Sequence, residues 1–114
     1  MNSMKSNPPI DYPSALKRLD GDRNFLNELL DIFQKDFLEK QSLLDSAVER
    51  KDFGEISKLG HSLKGGSANL GLTGLQEMAS HLETAGKEAD LSSARDYTNR
   101  LIDEFKRLQR FLEK

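Results

Sequence analysis

The sequence contains no cysteine and no tryptophan. The first absence removes disulfides, thiol catalysis and thiolate metal sites together. Only three prolines occur, all before residue 14, so no proline interrupts a helix in the rest of the chain. β-Branched residues are few, and long polar–apolar stretches argue against a sheet. No apolar run approaches the ~20 residues needed to span a bilayer. The opening residues carry one lysine and no apolar stretch, unlike a secretory signal. Charge of one sign is also missing: 17 Lys and Arg face 19 Asp and Glu, for a formal charge of -2. Such balance gives no electrostatic reason to expect nucleic acid or an anionic membrane as partner. There is no GxxxxGK[ST] or GxGxxG phosphate loop and no strand-turn-helix elbow for a nucleophilic triad. The Glu-x-x-His spacing of bundle metal sites is missing too, since Lys58 precedes His61 and Met78 precedes His81. The chain therefore lacks the equipment of an ordinary enzyme, with no resident metal or cofactor expected, and a cytoplasmic location is the default.

What remains reads as helix. A length of 114 residues suits one domain with one core. Residues 1–10, with Pro8, Pro9 and small polar residues, are expected to form a disordered leader, and residues 11–114 the domain. A short helix is expected from Tyr12 to Leu19, with Pro13 in its first turn and Gly21 past its end. Asp22 suits the N-cap of a longer helix carrying Leu26, Leu30, Phe33 and Phe37, which continues or bends near Lys40 towards Leu44, Ala47 and Val48. Asp52 with Glu55 resembles a capping box ahead of the stripe Ile56, Leu59, Leu63 and Leu70. Gly71 ends that helix, and Thr73 with Gln76 fits a second box before Leu75, Met78, Ala79, Leu82 and Ala85. Asp90 caps the last helix, whose stripe is Ala94, Tyr97, Leu101, Phe105, Leu108 and Leu112. Short loops make successive helices antiparallel. The expected fold is all-α, an up-down four-helix bundle with a short extra N-terminal helix. Its core should include Leu26, Phe33, Leu59, Leu63, Leu82, Leu101 and Phe105.

One segment breaks the helical economy: Gly60-His61-Ser62-Leu63-Lys64-Gly65-Gly66-Ser67-Ala68-Asn69-Leu70-Gly71. Three glycines lie inside the expected helix, each costing ~1 kcal/mol against Ala. Gly60 and Gly66 suit close packing on the inner side. His61, Lys64, Gly65 and Ala68 follow i, i+3, i+4, i+7 and form a separate outer face. That face offers an imidazole, a cation one turn on, and bare backbone beside them. Imidazoles with an ordinary pKa of ~6.5 are largely neutral and nucleophilic near pH 7. The set suits in-line attack on phosphorus, with Lys64 balancing the phosphoryl oxygens. A lone histidine on a helix is more often an ordinary surface residue, which is how His81, between Glu77 and Ala85, is read. The many carboxylates share faces with Lys and Arg and read as solvated surface.

The run His61 to Gly71 closely resembles the phosphorylation motif of histidine phosphotransfer (HPt) domains of multistep two-component relays. Asp11-Tyr12, Ala15-Leu16, Gly21-Asp22, Phe25-Leu26, Glu28-Leu29-Leu30 and Phe33 resemble the opening helices of that family, and Leu75 with Leu82-Glu83 its following helix. The resemblance implies that His61 accepts a phosphoryl group from the aspartate of one receiver domain and passes it to another. It implies that Lys64 stabilises the phosphoryl group and that Gly65, with Ala68 on the same face, forms the receiver-docking surface. A polar residue of the preceding long helix, Gln34, Lys35 or Asp36, would stand near the imidazole. Magnesium would arrive with the receiver, and phosphate from a partner, because the chain has no ATP site. Gly66 departs mildly from the Ser or Ala of many members. The expected state is a monomer. The alternative from another class is a non-catalytic helical adaptor that binds a receiver domain or a partner helix.

Overall fold

The computed structural model describes residues 8–113, and the expected leader over residues 1–7 lies outside the described residues. Five helices follow in order: α1 (Tyr12–Arg18), α2 (Arg23–Glu49), α3 (Phe53–Asn69), α4 (Thr73–Lys87) and α5 (Leu91–Leu112). No strand occurs among the described residues. Helices α2 to α5 form the up-down bundle, each packing on its neighbours in turn, and α1 leans on α2. None of these helices is long and apolar enough to cross a membrane. The leader expected through residue 10 is too long at its end. Ile10 is 1 % exposed and belongs to the core, because the Asp11 N–H donates to the Gly71 carbonyl at 2.7 Å and draws the chain onto the α3–α4 turn.

The turns share one construction. After α2, α3 and α4 a single residue takes a left-handed conformation: Lys51 (φ 57°), Gly71 (φ 69°) and Ala89 (φ 53°). The next N–H then reaches back five residues, from Asp52 to Ala47, Leu72 to Ser67 and Asp90 to Ala85. This is the Schellman closure, which satisfies carbonyls left free at a helix end. Asp52 and Asp90 then cap the next helix, accepting from the N–H groups of Glu55 and Ser93. Each connection therefore spans only three residues, 50–52, 70–72 and 88–90, which leaves no path but an antiparallel return. Gly71 is the position that tolerates no side chain, since a Cβ there would also meet the Asp11 carbonyl at 2.7 Å.

Two of the expected caps are built differently. Asp52 makes its half of the box, but its own N–H is occupied by Ala47 and does not wait for Glu55. The Thr73–Gln76 box is absent: Leu72 occupies the N-cap with no side-chain bond, and Thr73 is already helical. The tight turn pulls Leu72 into the core and moves the helix start to it. The Glu104 carboxylate, arriving from α5, lies over Gly74 in that first turn, where negative charge is favourable. Helix α2 runs unbroken past Lys40 for 27 residues. At ~1.5 Å per residue it is about 40 Å long.

The core is the set of apolar stripes, closed by Phe37 of α2 stacked on Phe105 of α5 with ring centroids 3.9 Å apart. All seven of the expected core residues are buried. The closest helix pair is α3 with α4, and glycines make it so. A Cβ on Gly60 would meet the backbone N and Cα of Glu83 at 2.7 and 2.9 Å, and one on Gly86 would meet the Ser57 N at 2.6 Å. Gly66 differs, since a Cβ there would make ordinary contact with the Phe33 ring at 3.6 Å. Gly65 has open space around it.

These differences predict opposite signs within one helix. Gly60→Ala should lose about 1–3 kcal/mol to overpacking. Gly65→Ala should gain up to about 1 kcal/mol from helix propensity. Urea denaturation of both variants checks this; a neutral Gly60→Ala would mean the helices separate without cost.

Candidate functional site

The outer face of α3 carries the four residues singled out by spacing. The His61 side chain is 73 % exposed, Lys64 is half-covered, Gly65 is exposed and Ala68 is half-buried. Because Gly60 faces α4, the next residue along the helix, His61, stands at the edge of the α3–α4 seam. Lys64, one turn on, lies on the same edge.

What meets them there is Glu83 of α4. Its backbone rests on Gly60, so its side chain emerges between His61 and Lys64. Oε1 pairs with the Lys64 ammonium at 2.7 Å, and Oε2 lies 3.1 Å from His61 Nδ1 and 3.3 Å from the Lys87 ammonium. The carboxylate side chain is only 9 % exposed. The Lys64 hydrogen bond holds Glu83 down at about 2, against burial that acts to raise it, with Lys87 assisting. An ionised carboxylate can only accept hydrogen bonds. His61 Nδ1 must therefore be the donor, and a neutral imidazole oriented this way keeps its lone pair on Nε2, the nitrogen away from Glu83. The site is an imidazole held in one orientation by Glu83, with its other nitrogen turned away from the carboxylate.

Sequence reasoning looked for the imidazole's neighbour on the wrong helix. Gln34 donates to the Leu30 carbonyl of its own helix and lines a cleft with Gln109 and Leu112 of α5. Asp36 pairs with Lys40 at 2.7 Å, and Lys35 is exposed. The partner comes from the following helix instead. A signal existed: Glu83 shares the arc Ala79, Leu82, Gly86 at i−4, i−1 and i+3, an acid placed among the residues that turn inward. Lys87 was missed as well, although it stands one turn from Glu83. His81 stacks on Tyr97 of α5 at 4.7 Å and takes no part in this cluster. On the other flank of α3, a shallow groove against α2 is lined mainly by Leu29, Ile32, Phe33 and Gly66, with Ile32 exposed.

The fold and site together are those of an all-helical bundle that presents an exposed histidine beside a buried carboxylate and two lysines. The chain belongs to the Hpt domain family, whose model matches residues 28–111. Two crystal structures share the fold. The histidine-containing phosphotransfer protein B of Pseudomonas aeruginosa PAO1 is 24% identical with a TM-score of 0.85, covering 93% of this chain and 92% of its own. The HPT domain of a sensor hybrid histidine kinase from Shewanella is 18% identical with a TM-score of 0.78, covering 92% and 91%. No match was found among curated proteins.

The low value of Glu83 carries a stability consequence. A carboxyl near 4.5 when unfolded and near 2 when folded stabilises the fold above pH 4.5. That contribution drains away as pH falls from about 4.5 to about 2. Glu83→Gln should therefore lose stability less steeply over that window than the unmodified protein. Urea midpoints at several pH values measure the slopes, and equal slopes would remove Glu83 from the ion-pair cluster.

Proposed function

We propose that the chain is a phosphoryl carrier in a two-component phosphorelay, accepting on His61 Nε2 a phosphoryl group from the aspartate of one receiver domain and delivering it to another. The observation that carries this reading is the outward Nε2 of an exposed imidazole whose Nδ1 proton is held by the buried Glu83 carboxylate. The Nε2 lone pair attacks phosphorus in line, the P–N bond forms, and the P–O bond to the receiver's aspartate breaks. The aspartate leaves as a carboxylate. The Nδ1 proton stays where it is, so the imidazole becomes a cation against Glu83 and no proton has to move in either direction. Reversal of the same step onto a second aspartate completes the relay.

Lys64 is the phosphoryl-stabilising cation in this reading, one turn from the imidazole. Charge-assisted contacts to phosphoryl oxygens are roughly twice as strong as neutral ones. Gly65 and Ala68 form the docking surface with the adjoining α2–α3 groove. Reacting atoms must come within ~3–3.5 Å, and the bare backbone at Gly65 permits that approach. Phosphate reaches the chain from its partner, with no nucleotide site of its own, and a monomer suffices because one bundle closes the core.

The test is incubation with a radiolabelled phospho-receiver domain. His61 should take up acid-labile label, and His61→Gln should take up none while its circular dichroism remains helical. Undiminished labelling of His61→Gln would end this reading, and absence of label on the unmodified chain would favour the adaptor. Gly65→Gln should keep or raise the melting temperature while transfer falls severely. A Gly65→Gln protein that transfers at the normal rate would remove that residue from the docking surface.

A further inference from the structure

At rest, the cation assigned to the phosphoryl group is already engaged. The Lys64 ammonium faces Glu83 Oε1 at 2.7 Å, the shortest contact of the cluster, rather than the open side where a phosphoryl group would stand. To reach a phosphoryl oxygen it must leave that carboxylate. Glu83 is buried, and a buried carboxylate stripped of its cation is strongly destabilised. A second cation is in place to prevent this: the Lys87 ammonium lies 3.3 Å from the other oxygen, Oε2. The geometry points to Lys87 as a positioning residue for phosphoryl transfer, one that holds the charge of Glu83 while Lys64 turns from the carboxylate to the phosphoryl group. This assignment rests on the relay reading above.

The charges support it. Two ammonium groups and one carboxylate leave a single positive charge beside the neutral imidazole. The phosphoryl group brings two negative charges and leaves one positive charge on the ring, so the complete phosphorylated cluster is neutral. Without Lys87 the same state carries an uncompensated negative charge next to a buried carboxylate. The contact between Lys87 and Glu83 has the i, i+4 spacing of an ordinary surface pair, and Lys87 itself is 66 % exposed. Pairs exposed on both sides contribute little. This one differs because its acidic partner is buried and shared with His61 and Lys64.

The experiment follows phosphohistidine formation by 31P NMR, with phosphoramidate as donor, which gives up its phosphoryl group to the imidazole and releases ammonia. Lys87→Ala should slow phosphorylation by about fivefold or more, and Lys87→Arg should restore it to within about twofold. The loss should persist at about 0.5 M salt, where long-range attraction of the anionic donor is screened. In a Glu83→Gln background the amide still accepts from Nδ1 but carries no charge to compensate. There Lys87→Ala should change the rate by less than about twofold. An equal loss in both backgrounds, or one that vanishes in salt, would overturn the assignment and make Lys87 a direct or long-range attractor of the donor. Unchanged rates for Lys87→Ala would overturn it while leaving the relay reading intact. No phosphorylation of the unmodified protein would sink both.

Discussion

The backbone of α4 lies directly on Gly60 of α3, and the reciprocal contact of Gly86 on Ser57 holds the crossing a turn away. Everything particular to the site depends on this approach. A Glu side chain is long, but its carboxylate reaches both His61 and Lys64 only because its own Cα sits in van der Waals contact with the residue just before the histidine. An ordinary helix spacing of 8–10 Å would set the carboxylate back from the seam and leave the imidazole free to rotate. The glycines thus act on chemistry through distance. Their helix-propensity cost, ~1 kcal/mol each, is the mark of that use at Gly60, whereas at Gly65 the same cost is offset by nothing in the fold.

The cluster around Glu83 is better understood as specification than as stabilisation. Burying a carboxylate is unfavourable, and its pairing with the lysines is what keeps it ionised. What the arrangement secures is orientation: one imidazole nitrogen is committed to a permanent acceptor, and the other is presented to solvent. Hydrogen-bonded histidines elsewhere obey the same rule, since the partner of one ring nitrogen decides what the other can do. His81, stacked on Tyr97 rather than bonded to an acid, shows the contrast within this chain.

Much of the fold was legible because its signals are local. Asp22, Asp52 and Asp90 cap the next N–H groups three residues on, and Gly71 takes the left-handed angle that ends α3. Such bonds are made within one turn and survive whatever the rest of the chain does. The apolar stripes are local in the same sense, which is why Leu63 and Phe105 fall in the core as their spacing requires. The start of α4 departs from this logic: Thr73 and Gln76 have the right spacing, but the preceding Schellman closure draws Leu72 into the N-cap position, so the helix begins there without a side-chain cap. The same holds at the N-terminus, where a tertiary hydrogen bond to Gly71 brings Ile10 into the core.

By itself, the sequence determined the helical class, the antiparallel order, and the outward face bearing His61, Lys64, Gly65 and Ala68. Each follows from periodicity or from bonds within a few residues. Only the tertiary structure decided which group touches the imidazole. The family resemblance pointed to Gln34, Lys35 or Asp36 of the preceding helix, and nothing in one helix states which neighbour will face it. Glu83 is 22 residues from His61, and their contact exists because two helices cross at glycine with almost no separation. Lys87 enters for the same reason, joined to the site through Glu83 alone. Helical spacing places side chains around one axis; the distance and rotation between two axes come from packing, and the chemistry of this site lies in that interval.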